Sequence, residues 1–498
     1  MSVSPTTYEV FDPATLEVVG TAPLHTAEDV ECAVALAGTA AAAWAADREA
    51  RRSALRSIAV AVRDQSGRLG EILSREQGKV LREAVMEFQV AAGLFEYYAD
   101  LEWDQTEQLP ERDGRRLAVH YRPVGLVGAI TPWNFPISLL AVKLAPALVA
   151  GCTVIAKPSP STPLSTIALV ELMNGFLPPH VLTSVTGRGV LSRALSTLPG
   201  VRKISFTGST EVGTAIMAQA APTVKRVTLE LGGNDPAIVL PDADPAFTAA
   251  GIIGSAFRNA GQVCMAVKRV FVPRSLASEL TEALAAAAAG LVVGRGVDTG
   301  TGMGPMHNAA QRDLVSSLVT QAVNDGGRLA FGGGTGTTLP GYFMEPTIIA
   351  DAPYDTPLVC SEQFGSALPV SVYDDVEDVL AHLNGQEFGL GASVWSPDLD
   401  RSGELASRIE AGTVWINQHT QVELDAPFGG WKASGMGRER GRWGLSEYLQ
   451  TRTVNTVTGQ HSIPAAGVVV PVSGAAASGA AVSGAAGVAV PVSGAAAG

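Results

Sequence analysis

Residues 124–159 read VGLVGAITPWNFPISLLAVKLAPALVAGCTVIAKPS, and the pattern in them decides the architecture. Two short runs rich in β-branched residues, VGLVGAI and TVIAK, have the length and composition of buried strands. Between them SLLAVKLAPALVAG (138–151) spaces its apolar residues for a helix with one buried face and ends at a glycine, a common helix stop. Strand, helix and strand in this order are the βαβ unit of a parallel sheet. The alternation runs on to about residue 245, with VLTSVTG, RKISFTG, RVTLEL and AIVL as strands. PLSTIALVELMNG (163–175) and TEVGTAIMAQAA (210–221) supply the helices between them.

On the N-terminal side, roughly the first hundred residues read as helices after one short strand, suited to covering the sheet. Beyond Glu230 a second α/β set follows, with strands near RVFVP, LPVSVY, ASVWS and GTVWIN and helices near 276–289, 308–325, 375–384 and 399–410. Two α/β lobes with a cleft between them are the expected arrangement. RRLAVHYRPVG (115–125) and SEYLQTRTVNTVTG (446–459) alternate as exposed strands do and are assigned to a small oligomerising sheet. Residues 462–498 differ in kind: an uncharged Ala/Gly/Val/Ser/Pro tail in which VPVSGAAA occurs twice, from Val470 and from Val490. Such a low-complexity segment is read as a disordered tail or as an extended arm packing on another subunit.

A chain of 498 residues can bury a large core without staples. Cys32, Cys152, Cys264 and Cys360 lie far apart with no CxxC pair, so neither a disulfide framework nor a zinc or other metal site is indicated. A reducing, cytoplasmic setting is expected, since Glu9 and Asp12 stand where a signal peptide would be basic and then apolar. A net charge of −13 disfavours nucleic acid and anionic membrane surfaces as partners. The stretch ALAAAAAGLVVG (283–294) is well short of the ~20 apolar residues that span a bilayer. A small molecule is the expected partner.

GQVCMA (261–266) sets Cys264 between a glycine turn and an apolar flank. A lone cysteine there is a core residue unless other groups activate it, because an ordinary thiol is only a few per cent thiolate at neutral pH. Three segments supply such groups. VTLELGGNDP (227–236) ends a strand at Glu230, where partial desolvation suits a carboxylate to proton transfer. ITPWNFP (130–136) holds Asn134 in a rigid loop able to aim an amide N–H at an oxyanion. FTGSTEVG (206–213) follows a strand and opens a helix, so amides near Gly208 and Ser209 can meet a phosphate. Each alone has a plain alternative: a turn asparagine, a loop, a solvated glutamate.

Taken in order, PWNFP, KPS (157–159), FTGST, LELGG, GQVC, EQFG (362–365), GTVWIN and PFGGWKASGMGRERG (427–441) resemble the aldehyde dehydrogenase superfamily over about residues 7–457. The resemblance implies an α/β fold with a Rossmann-type dinucleotide-binding domain over 1–114 and 126–230. It implies a second α/β catalytic domain over 231–445, and oligomerisation strands at 115–125 and 446–461. It implies oxidation of an aldehyde to a carboxylic acid through a thiohemiacetal and a thioester on Cys264, with Asn134 holding the oxyanion and Glu230 activating water. Glu230 is the residue that coenzyme A-acylating relatives generally lack, so hydrolysis is expected ahead of acyl transfer or of a silent dinucleotide-binding homologue.

For the cofactor, the resemblance assigns Lys157 and Ser159 to the adenosine ribose side, Gly208 and Ser209 to the pyrophosphate, Glu362 and Phe364 to the nicotinamide ribose, and Trp133 to the cleft. NAD is the expected cofactor. NADP stays open because Pro160 stands where NAD-preferring relatives often carry a glutamate. Ser366, where the family usually has proline, is expected to alter only its loop. The substrate tunnel falls to Phe135, Leu139, Val142, Val263, Met265 and Phe428, an apolar set that favours an aliphatic or aromatic aldehyde. His419, Glu423 and Asp425 are expected at its mouth. No arginine of these stretches is assigned to a carboxylate, so a semialdehyde acid ranks lower. A homodimer or homotetramer is implied.

Overall fold

The strands expected at either end of 124–159 form as Val127–Ile130 and Val154–Lys157, paired in parallel across the helix Ser138–Ala150. That helix closes on Gly151 at φ +99°, a conformation glycine adopts without steric cost. The structure, a computed structural model, describes residues 6–112, 114–334 and 339–458. The tail expected at 462–498 and the last residues of the strand expected at 446–461 lie outside the described residues.

The first sheet runs in the order Gly435–Met436, Arg226–Glu230, Lys203–Thr207, Val127–Ile130, Val154–Lys157, Leu182–Ser184. Its five main strands are parallel and the Gly435–Met436 edge is antiparallel. Both faces are covered, which is why the central strands Val127–Ile130, Val154–Lys157 and Lys203–Thr207 are buried along their whole length. Val154 and Ala156 pack into a core with Leu55, Phe88, Phe95 and Leu148, while Ile155 between them joins Val30, Leu191, Ile204 and Ile216 on the opposite face. That alternation is the two-residue period of a strand written into a run with no polar member.

The second sheet has the order Arg328–Phe331, Thr347–Ala350, Ala367–Tyr373, Arg269–Pro273, Pro236–Val239, Gly391–Trp395, Thr413–Ile416, antiparallel only at its first pair. AIVL therefore opens this sheet rather than closing the first. The strands Arg328–Phe331 and Thr347–Ala350 carry no sequence expectation: each is four residues long, and the first is a half-exposed edge. The Gly435–Met436 edge is invisible for a different reason, since only the return of the chain to Leu229 and Glu230 makes it a strand.

Arg115–Pro123 pairs antiparallel with Leu449–Val457 over nine residues, and Thr106–Gln108 adds a third strand. At the N-terminus the single expected strand is a hairpin, Thr7–Phe11 with Val18–Pro23, followed by helices Ala27–Ala46, Arg48–Asp64, Ser66–Gln77 and Leu81–Asp100. Ala27–Ala46 is long and apolar enough, by length and composition, to cross a membrane. Its Val30, Ala33 and Ala37 are instead buried in the core on one face of the first sheet.

Candidate active site

Parallel pairing places Ile130 beside Lys157 and Phe206, and Thr207 beside Glu230, so four adjacent strands end on one edge of the first sheet. The loops that follow them carry Trp133 and Asn134, Ser159, Gly208 and Ser209, and Gly232 and Gly233. Carboxyl ends of parallel strands are where open α/β sheets bind ligands.

The second lobe delivers Cys264 to the same place through a strained turn. Asn259, Ala260 and Gly261 lie at φ +47°, +54° and +74° in succession. The two non-glycine members each cost about 1–3 kcal/mol, so the surroundings must hold them. They do: Asn259 Nδ2 donates to the Asn134 carbonyl at 3.0 Å, Lys268 Nζ to the Gly261 carbonyl at 2.6 Å, and Gln262 Nε2 to the Asn259 carbonyl at 2.9 Å. Ser366 Oγ donates to the Ala260 carbonyl at 3.1 Å, so this residue braces the turn before Cys264 as well as shaping its own loop. Position 261 admits only glycine, because a Cβ there would lie 2.2 Å from the Gly365 carbonyl oxygen.

Asn134 is 3% exposed, and its Nδ2 donates to the Gln262 carbonyl at 2.9 Å. An amide nitrogen carries two hydrogens, so one fixes the side chain against the Cys264 loop and one is left for an incoming oxygen. Its backbone carbonyl is clamped by Lys79 Nζ at 2.6 Å in addition to Asn259. Lys79 in turn pairs with buried Glu87, whose Oε2 accepts from the Ile137 and Ser138 amides at 3.2 and 3.1 Å. Glu230 is buried, and no side chain among the described residues hydrogen-bonds its carboxylate; the Gly430 amide is the one backbone donor near it. Asn134, Glu230 and Cys264 all line one cavity of about 630 Å³, together with all six expected tunnel residues, Phe135, Leu139, Val142, Val263, Met265 and Phe428.

Burial dominates the electrostatics. Glu230 is held well above the usual carboxylate range by desolvation and by the neighbouring Glu439, against the pull of Lys143 and Arg438. Burial, then the carboxylates of Glu362, Asp235 and Glu230, push the Cys264 thiol up to about 12, with Lys268 opposing them. The protein alone therefore stores a thiol and not a thiolate.

The sequence model of the Aldehyde dehydrogenase family matches residues 1–454. The chain belongs to the aldehyde dehydrogenase family. It is 38% identical to a glutarate-semialdehyde dehydrogenase of Pseudomonas putida, over 90% of this chain and 93% of the relative. It is 37% identical to the NADP-dependent succinate-semialdehyde dehydrogenase of Escherichia coli, over 89% and 93%. The crystal structure of betaine aldehyde dehydrogenase from Staphylococcus aureus in complex with NAD+ superposes with a TM-score of 0.89 at 32% identity, covering 92% of this chain and 93% of that one. The protein is thus an NAD(P)-dependent aldehyde dehydrogenase, and the expected fold is the one it has.

The residues this dehydrogenase would turn toward a dinucleotide fit one. Glu362 is half-buried, its Oε1 accepting from the Gly233 amide at 3.1 Å, and its carboxyl is raised to about 7 chiefly by desolvation. A Cβ on Gly232 would meet Glu362 Oε2 at 2.6 Å, so the Gly-Gly turn of LELGG exists to let that carboxylate approach. Phe364, at φ +48°, meets the edge of Trp133 at 5.5 Å between ring centres, and Lys268 lies over its other side at 5.0 Å. Lys157 is buried, lowered to about 8 by desolvation, and bonded only to the carbonyl of Pro158 at 3.1 Å, which leaves two of its three hydrogens for a ligand. Ser159 Oγ is 3.0 Å from Ser161 Oγ. Ser209 caps the helix Thr210–Ala220, leaving that helix N-terminus open to an anion, while the Gly208 amide is already used on the Glu230 carbonyl at 3.0 Å.

Other expectations at the tunnel mouth are corrected. His419 is buried, its Nε2 at 3.0 Å from the Met265 carbonyl and 3.5 Å from Asp235, so it supports the Cys264 loop and does not face solvent. Glu423 and Asp425 are exposed and do not line the cavity, which takes Thr420, Gln421, Val422 and Leu424 from that segment. Two arginines do line it, Arg258 and Arg440, against the expectation that none awaits an anion. Arg440 is present in the quoted GRERG, but nothing in a run of charged residues announces which one folds inward. Lys79, Glu87, Asn259, Lys268 and Asp235 were likewise unmarked, because each acts through a partner from 7 to 156 residues away.

Proposed function

We propose that Cys264 is the nucleophile, Asn134 the oxyanion donor and Glu230 the base of aldehyde oxidation in this chain. The observation that carries the reading is the single cavity lined by all three, in which no other side chain hydrogen-bonds the Glu230 carboxyl. Cys264 Sγ passes its proton to solvent water and bonds the aldehyde carbon, and the oxygen turned oxyanion takes the free Asn134 N–H and the Cys264 amide. When bound, the dinucleotide supplies the acceptor for the hydride released from that carbon, leaving a thioester on Cys264. Glu230 then takes a proton from water, hydroxide adds to the thioester, the C–S bond breaks, and the carboxylic acid leaves as the thiol is reprotonated.

Glu362, Phe364, Trp133, Lys157, Ser159, Gly208 and Ser209 would hold the dinucleotide, making 1–114 with 126–230 the dinucleotide domain and 231–445 the catalytic one. NAD is the proposed cofactor, with NADP accepted. Pro160 supplies no carboxylate against a 2′-phosphate, and Pro160 and Ser161 line a second cavity, of about 510 Å³, together with Arg188. The protein is proposed to be cytoplasmic, and a homodimer or homotetramer formed through 115–125 and 446–461. The test is an aldehyde panel with each cofactor. Reduced nicotinamide and free acid are expected, with Cys264→Ala inactive. Acyl-CoA on addition of coenzyme A, or activity surviving in Cys264→Ala, would overturn the reading.

A further inference from the structure

We propose that Arg440 selects aldehydes bearing a remote carboxylate, binding it in the cavity that holds Cys264. The inference deepens the function proposed above and rests on it. Five charged side chains line that cavity: Glu87, Glu230, Glu439, Arg258 and Arg440. Four are spoken for. Glu87 is paired with Lys79 and capped by two amides, and Glu439 is paired with Lys143 at 2.5 Å. Glu230 is the proposed base, and burial and the neighbouring Glu439 hold its carboxyl well above the usual carboxylate range. Arg258 has Glu83 within electrostatic reach and lies over the Phe135 ring at 5.6 Å.

Arg440 remains. A guanidinium carries five N–H donors, and here the hydrogen bond made is one contact of Nη1 with the Glu423 carbonyl, at the limiting distance of 3.5 Å. No ion pair joins it to a carboxylate among the described residues. Its backbone sits at φ +69°, a conformation glycine takes far more easily than arginine, so the side chain is kept at a conformational cost. A half-buried, underbonded guanidinium at a strained position is a built anion receptor, and a planar fork matches a carboxylate in two parallel hydrogen bonds. The neighbouring walls, Leu139, Val142, Val263 and Phe428, suit a short methylene chain between that carboxylate and the aldehyde at Cys264. The exposed Glu423 is the natural competitor for Arg440, but its carboxylate is solvated, and a carboxylate inside the cavity is screened less.

The experiment compares kcat/KM for three aldehydes of equal chain length, ending in a carboxylate, a methyl and an ammonium, in wild type, Arg440→Leu and Arg440→Lys. Wild type is expected to prefer the carboxylate. The carboxylate-to-methyl ratio should fall about ten- to hundredfold in Arg440→Leu, mostly through KM, and recover in part in Arg440→Lys, which keeps the charge without the fork. Arg440→Gly, suited to the backbone, replaces the leucine variant if that one fails to fold. A ratio unchanged by these substitutions, or a wild type that prefers the methyl, the ammonium or a phosphorylated aldehyde, overturns the assignment. Wild type inactive on every aldehyde would instead overturn the proposed function.

Discussion

Replacing Glu230 by glutamine should separate the two halves of the reaction. The carboxyl is buried with no side-chain hydrogen bond, and the glutamine amide oxygen can still accept from the nearby Gly430 amide, so the substitution is nearly isosteric. Loss of a positioned general base costs about 10²- to 10⁴-fold, or about 2.7 to 5.5 kcal/mol of barrier, all of it in thioester hydrolysis. The expected trace in a stopped-flow spectrometer is a burst of reduced nicotinamide near one per active site, followed by turnover slowed by that factor. Intact-protein mass should then show Cys264 carrying the aldehyde less two hydrogens. The pH sign follows from the raised acidity constant. A base works only when ionised, so wild-type deacylation should weaken as pH falls through a value well above the usual carboxylate range, and the variant should lose that dependence. Stability runs the other way. A folded-state pKa raised above the unfolded one gives stability that is present below about 4.5 and lost as pH rises, so Glu230→Gln should gain on wild type in thermal stability toward alkaline pH. Steady-state turnover at the wild-type rate, or slow turnover with no acyl group on the enzyme, would refute the assignment of the base.

Asn134→Ala should lower kcat by about 10²- to 10³-fold with KM little changed, because it removes a donor made for the transition state; steady-state kinetics decide. Lys79→Met strands the buried Glu87 carboxylate beneath the Asn134 loop, with an expected loss of about 3–5 kcal/mol, read as a lowered unfolding temperature and a weakened kcat; an unchanged melting profile would contradict it. Gly261→Ala drives a Cβ to 2.2 Å from the Gly365 carbonyl at φ +74°, so activity should collapse even in protein that remains folded by circular dichroism, whereas the neighbouring Val263→Ala should keep most of it.

Much of this was readable from the chain because it is local. The continuous apolar runs VGAI and VIA carry their own instruction to be buried on both faces, and Gly151 its own helix stop. The catalytic set was readable through its ordered motifs, each of which sits on a strand end or a tight turn. What was not readable depends on pairing at a distance. The Gly435–Met436 edge exists only because Glu230 is there to receive it, and Lys79 matters only because Glu87 and the Asn134 carbonyl converge on it. His419 shows the same limit, for a polar residue in a polar segment gives no sign that Asp235 and the Met265 carbonyl will bury it. Arg440 carries no mark in the sequence that sets it apart from Lys432, Arg438 and Arg442, and only the fold turns it toward the cavity.

The way the segment after residue 434 returns to the first sheet ties fold to chemistry. Among the contacts that hold that return, Gly435 pairs with Glu230, Lys143 with Glu439, and Lys203 with Glu447 at 3.2 Å. The first brings the strand edge against the base itself. The second neutralises the carboxylate that most raises the base after burial does, so Lys143 tunes Glu230 from the helix that follows Asn134. Glu439 precedes Arg440, and the same hydrogen-bonded return that anchors the one also fixes the backbone from which the other reaches the cavity. Base strength and anion recognition therefore hang on a single short segment, and a change in its seating would move both together.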